Sequence, residues 1–256
     1  MARSLSPREV LRWYLDAGVD EAVGAEPLDR YALSARIVSP PPVLPRPVPP
    51  RPSPPRQAPP SADSPLRAAE GASALAASAP TVAELRRALE NFDGCGLRAT
   101  ATTTVFADGN PEARVMVIGE APGAEEDRQG LPFVGVSGHL LDRMLASIGL
   151  DRSNTYIANV VPWRPPGNRK PTPAEVAVCA PFLERHIALV DPEVLLLLGS
   201  LAAATVLARG DGVMRLRGRW FDYATALPRP IPAIATFHPA RVLSGGERNR
   251  LLLAKL

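Results

Sequence analysis

The chain has 256 residues, 46% of them apolar, and a formal net charge of +3. That length allows one or two domains with a sizeable core. No run of about 18 apolar residues marks a membrane span, and Cys95 and Cys179, the only cysteines, are too few for a disulfide framework and fit no metal motif by themselves.

Nearly all of the 29 basic residues are arginines; the lysines are Lys170 and Lys255. Two readings are open: a bias of genome composition, or arginine used as the better fork for phosphate. The first residues, MARSLSPREVLRWYL, lack an apolar signal core, so the expected location is the cytoplasm. Within segment 1–36, Val10, Leu11, Tyr14 and Leu15 fall at helical spacing, and Val19 and Val23 continue it. A short amphipathic helix is expected there. It is too small to be a domain and is a candidate for docking a protein partner or the main body.

Twelve of the 21 residues from 40 to 60 are proline. Proline has no amide donor and enforces extended backbone. The composition predicts a semi-rigid, disordered linker over 37–80. The folded body is expected over 81–256. It opens with TVAE, where Thr81 and Glu84 have capping-box spacing ahead of the helix VAELRRALENF. Apolar strands at 114–118, 156–161, 194–198 and 233–237 then alternate with amphipathic stretches at 137–148, 174–189 and 201–208. This pattern predicts an α/β fold, a three-layer α/β/α sandwich with a central four-stranded, mainly parallel sheet. Ligands of such sheets bind at the carboxyl ends of the strands. The loops after Ile118, Val161, Leu198 and Phe237 are therefore expected to converge.

Those loops carry the chemistry. The first is GEAPGAEEDRQGLPFVG, residues 119–135. Gly119 and Gly123 permit close backbone approach and Pro122 stiffens the turn. Neither GxGxxG nor a P-loop is present, so a nucleotide cofactor is unsupported. Glu120 sits at the strand end, either as a functional carboxylate or as a solvated one. Phe133, between Pro132 and Gly135, reads as an aromatic fixed on a loop or as core packing. Asn159 ends the apolar strand YIANVV; a buried amide needs partners, and its edge can read a donor–acceptor pattern such as a pyrimidine's. Arg164, Arg169 and Lys170 follow in VVPWRPPGNRKP with no acid among them. That is a nucleic-acid backbone contact or a solvated loop. Of the three histidines, His139 and His186 fall in helical patterns, whereas His238 in TFHPARVL sits at a strand end.

Together, GEAPGAEEDRQGLPFVG, YIANVVPWRPPGNRKPTPAEVAVCAPFLERHI and HPA resemble the family 4 uracil-DNA glycosylases, in the right order from about residue 93 to 243. The resemblance implies an enzyme that flips uracil out of DNA and hydrolyses its N-glycosidic bond in base excision repair. A lyase would need an amine for a Schiff base, and Lys170, the only internal lysine, sits in the basic loop, so a monofunctional, monomeric glycosylase is expected. By position, the resemblance makes Glu120 the residue that places or activates the attacking water. His238 would stabilise the departing base, Phe133 would stack on uracil, and Asn159 would read its polar edge. The Ala121 backbone would line the pocket, Glu126 would crowd the position of a thymine methyl, and residues 239–243 would wedge into the duplex. Arg164, Arg169, Lys170 and Arg241 would contact DNA. The sequence departs from the family in its cysteines. Most members hold an iron–sulfur cluster through four; here Phe92 and Trp163 stand at two of those positions, leaving Cys95 and Cys179. A [4Fe–4S] cluster normally needs four thiolates, so no cofactor is expected. Two rivals stay open at this point: a non-catalytic DNA-binding or polymerase accessory module, and a relative that captures uracil covalently, against which the absence of a histidine in RPPGNRKP argues.

Overall fold

The computed structural model describes residues 65–224 and 229–244, all within the compact unit Ala58–Leu256. The helix expected in 1–36 and the proline-rich tract lie outside the described residues. In chain order the elements are α1 (Pro65–Ser78), α2 (Val82–Asn91), β1 (Ala107–Gly109), β2 (Val115–Gly119), α3 (Ala124–Gln129), α4 (Val136–Ala146), β3 (Thr155–Asn159), α5 (Pro173–Val190), β4 (Val194–Leu198), α6 (Ser200–Leu207), α7 (Val213–Leu216), β5 (Trp220–Tyr223), β6 (Ile231–Thr236) and α8 (Pro239–Ser244).

The linker expected over 37–80 is corrected at its end, because α1 occupies Pro65–Ser78. Beyond Pro65 the prolines give way to alanine, the strongest helix former. Ala72 and Ala76, four apart, are buried, as is Ala79. These small side chains let α1 pack closely on α5. Arg185 of α5 then donates from Nε and Nη2 to the Ala79 carbonyl, at 2.9 and 2.7 Å. Thr81 caps α2 by accepting from the Glu84 amide at 3.2 Å, but its hydroxyl donates to the Glu84 carboxylate at 3.0 Å. The expected box is thus only half formed. A complete one opens α5, where Glu175 donates its amide to Thr172 Oγ1 and accepts from the Thr172 amide.

The sheet has six strands in the order β1-β3-β2-β4-β6-β5. The inner four are parallel and are the strands expected from the sequence. The two antiparallel edges, β1 and β5, were not expected. At three and four residues they are too short to show a two-residue period. Along β2 the side chains alternate between faces. Met116 and Ile118 pack with Phe182 and Ile187 of α5 and Ala202 of α6. Val117 packs with Ile157, Leu198 and the α4 residues Leu141 and Leu145. Helices cover both faces, giving the three layers.

The chain leaves β2 toward β3 on one side and leaves β4 toward β6 on the other, while β2 and β4 are neighbours. Such a switch point opens a crevice beyond the strand ends, where ligands of these folds bind.

Candidate active site

A cavity of about 400 Å³ lies at that switch point. Each parallel strand delivers a lining residue from its carboxyl end: Glu120 follows β2, Asn159 ends β3, Gly199 follows β4 and His238 follows β6. Ala121, Glu126, Phe133, Arg169, Lys170 and Arg241 also line it. Arg164 does not; its Nε donates to Asn168 Oδ1 at 2.7 Å, and Asn168 is the one that faces the cavity.

The aromatic wall depends on a glycine. Gly119 and Asn159 are register partners on adjacent strands. A Cβ at residue 119 would meet Phe133 Cζ at 2.5 Å and collide with Asn159 Oδ1. Only glycine lets ring and amide close over the strand end. Phe133 is buried, and its ring stacks on His238 with centroids 5.5 Å apart at 28°. Asn159 is also buried, and its Oδ1 has no partner. An acceptor taken from water and left unpaired costs about 1–3 kcal/mol.

His238 is oriented by the backbone two residues on. The Ala240 amide donates to Nδ1 at 3.2 Å, which leaves Nε2 as the protonated nitrogen. Burial lowers its pKa, against the opposing charge of Glu126, and favours this neutral form. Glu120 is half-buried. Desolvation raises its pKa, and the nearby Lys170 charge offsets part of that rise.

Glu126 spends its carboxylate on the loop. Oε1 accepts from the Val134 and Gly135 amides at 3.0 and 2.9 Å, and Oε2 from the Gly123 amide at 3.0 Å. It staples the two ends of the acidic loop together. Arg169 is likewise committed: its guanidinium forks onto Glu175 at 2.8 and 2.6 Å. The basic loop looked free of acids in sequence because that acid comes from the first turn of the next helix. Held by Arg169, Glu175 has its pKa pulled down to about 2. Arg241 lies 6.0 Å from the Phe237 ring. The segment expected to form a wedge loop is the short helix α8, with Val242 buried and Leu243 exposed.

The loop after β4 adds two further residues to the site. Gly199, with φ +93°, lets His238 pack within 3.1 Å of where its Cβ would stand, and Ser200 beside it lines the cavity. The LLLLGS run carried that signal, a glycine at a strand's carboxyl end. Arg152 and Gly138, which shape Phe133 from behind, had no signal of their own.

Comparisons with known proteins give the family of the chain. Residues 106–255 match the family model of the Uracil DNA glycosylase superfamily. A type-4 uracil-DNA glycosylase of Archaeoglobus fulgidus is 42% identical over 153 residues, 58% of this chain and 76% of the relative. One from Thermotoga maritima is 39% identical over 162 residues, covering 62% of this chain and 82% of the relative. The chain belongs to the type-4 branch of this superfamily. A third relative, the type-4 uracil-DNA glycosylase of Sulfurisphaera tokodaii, is 35% identical over 163 residues, 62% of this chain and 74% of the relative.

The family's four-cysteine cluster does not fit the residues found here. Cys95 and Cys179 are buried free thiols, and the neighbouring Cys95 together with burial raises the pKa of Cys179. The other two positions hold aromatic packing. Phe92 is buried against Phe182, with centroids 5.2 Å apart. Trp163 is 1% exposed, and its indole N–H donates to Thr104 Oγ1 at 3.0 Å. Among the described residues no group of three or more His, Cys, Asp or Glu could hold a metal, and no helix is long and apolar enough to cross a membrane.

Proposed function

We propose that this chain is a monofunctional uracil-DNA glycosylase that releases uracil from DNA and leaves an abasic site for base excision repair. One observation carries the reading: the unpaired, buried Oδ1 of Asn159 sits on a cavity beside the stacked Phe133 and His238 rings. A base inside a duplex is out of reach, so it must first be flipped out, at a cost of a few kcal/mol. Stacking on Phe133 returns about 1–3 kcal/mol. Asn159 Oδ1 then accepts from uracil N3–H while its amide donates to O4. Cytosine reverses both groups and is rejected.

Rupture of the C1′–N1 bond leaves the electron pair on the base, spread over N1 and O2, and positive charge on the sugar. The neutral His238 meets the base charge with its Nε2–H. A preorganised donor of this kind contributes about 2.7–4 kcal/mol. Glu120 faces the sugar. Its raised pKa suits a base that takes a proton from water as the water oxygen bonds to C1′. Lys170, Arg241 and Asn168, held by Arg164, supply backbone contacts, and Leu243 on α8 supplies the wedge.

The same reading includes the absence of an iron–sulfur cluster, its corner filled by Phe92 and Trp163. It also includes a monomeric enzyme, and a cytoplasmic one, the latter in keeping with two free buried thiols. The test is single-turnover reaction with an oligonucleotide carrying one uracil. Free uracil and an alkali-labile site should appear in equal amounts, from a colourless protein. DNA binding without uracil release would favour the accessory-module alternative, and a brown protein absorbing near 400 nm would contradict the missing cluster.

A further inference from the structure

Phe133 holds an unusual backbone. Its φ is +55°, in the left-handed region that side chains with a Cβ disfavour. Something must hold it there, because this residue forms the aromatic wall of the cavity.

Three features converge on its peptide. Arg152, in the turn between α4 and β3, donates from Nη2 to the Phe133 carbonyl and from Nη1 to the Pro132 carbonyl at 3.1 Å. Two carboxylates fix that guanidinium in turn. Nη1 meets Asp108 of β1 at 2.6 Å and Nε meets Asp142 of α4 at 2.9 Å. Gly138 of α4 lies so close that a Cβ there would fall on the Phe133 carbonyl, far inside any real contact distance. On the other side, Glu126 holds the two amides that follow. Arg152 does not itself line the cavity.

We propose that Arg152 is a positioning residue for base stacking. It grips two consecutive carbonyls and keeps the Phe133 ring over the cavity, while Asp108 and Asp142 hold it from the edge strand and from α4. A planar fork can hold two carbonyls and two carboxylates at once; a lysine cannot. The inference rests on the reading of Phe133 as the platform for the extruded base.

The test is a double-mutant cycle on single-turnover uracil release with Arg152→Ala and Phe133→Ala. Losing the platform should slow release about tenfold or more. If Arg152 acts through the ring, Arg152→Ala slows release about as much as Phe133→Ala, and adding it to Phe133→Ala costs less than about twofold more. Arg152→Lys should recover only part of the rate. Gly138→Ala, which displaces the same carbonyl with Arg152 intact, should reproduce the defect without weakening binding to undamaged duplex. Thermal unfolding of each variant identifies folded protein, and rates are compared per folded molecule. Equal fold losses from Arg152→Ala in both backgrounds, or full activity of folded Arg152→Ala, would overturn the proposal. A Phe133→Ala protein with undiminished release would instead remove the stacking reading on which it rests.

Discussion

The cavity and the cysteine corner are built from the same materials, aromatic rings, polar groups and the ends of helices, yet they are finished differently. At the cavity, Asn159 Oδ1 lacks a partner, Phe133 sits at positive φ, and the His238 and Glu120 pKa values are displaced by burial. At the corner, the Trp163 indole N–H is bonded, the two thiols are buried, and Phe92 packs on Phe182. Incomplete satisfaction and held strain belong to a site awaiting a ligand. Complete satisfaction belongs to a part that only has to stay folded. Phe92 and Trp163 fill that corner by packing.

Substitutions should separate the two regions cleanly. The largest effect is expected from Glu120→Ala, which should slow uracil release about 10²–10⁴-fold, with His238→Ala close behind; both should bind uracil-containing DNA nearly as well as the parent. Binding and release falling together would erase the distinction. Trp163→Ala should do the opposite. Removing a fully buried indole should cost about 3–5 kcal/mol of stability, measured by urea unfolding, with release per folded molecule unchanged at low temperature.

Asn159→Asp tests the reading edge. The rate ratio of uracil to cytosine release should fall at least about tenfold, because a buried polar group matched to one edge is what rejects the other. Unchanged selectivity would take Asn159 out of base recognition.

A second histidine gives the smallest effect and a control. His186 is buried in the core, its Nε2 paired with the Tyr156 hydroxyl at 2.7 Å and its ring stacked on Phe106. Burial, aided by the Arg86 charge, pushes its pKa down to about 3. The folded state therefore refuses a proton that the unfolded chain accepts below about pH 6.5. The stability from keeping it neutral is complete above that pH and is lost toward pH 3, at up to about 1.4 kcal/mol per unit. The stability advantage of the parent over His186→Gln should shrink between pH 7 and pH 5, while uracil release per folded molecule stays equal.

The two histidines also show what sequence could and could not reveal. His238 is marked out by following a strand in an α/β pattern; His186, in a helical one, reads as structural or surface, and it is buried in the core. The four parallel strands were legible as apolar runs, and their order of ends placed Glu120, Asn159 and His238 around one cavity. Phe133 reached the same place through the glycines around it. What stayed hidden was set by tertiary contact. Arg169 seemed free until Glu175 came to it from the next helix turn. Glu126 lines the pocket as expected, but its carboxylate is committed to three loop amides. The helix α1 was masked by its proline-rich neighbour, although the spacing of Ala72 and Ala76 was already helical.

The most direct measurement is a titration of the protein with free uracil, followed by nitrogen-edited NMR of the Asn side-chain amides and histidine rings. The account predicts saturable shifts at the Asn159 amide and the His238 Nε2–H, with His186 unmoved and cytosine ineffective. Shifts that spare both Asn159 and His238, or that cytosine produces equally well, would contradict it.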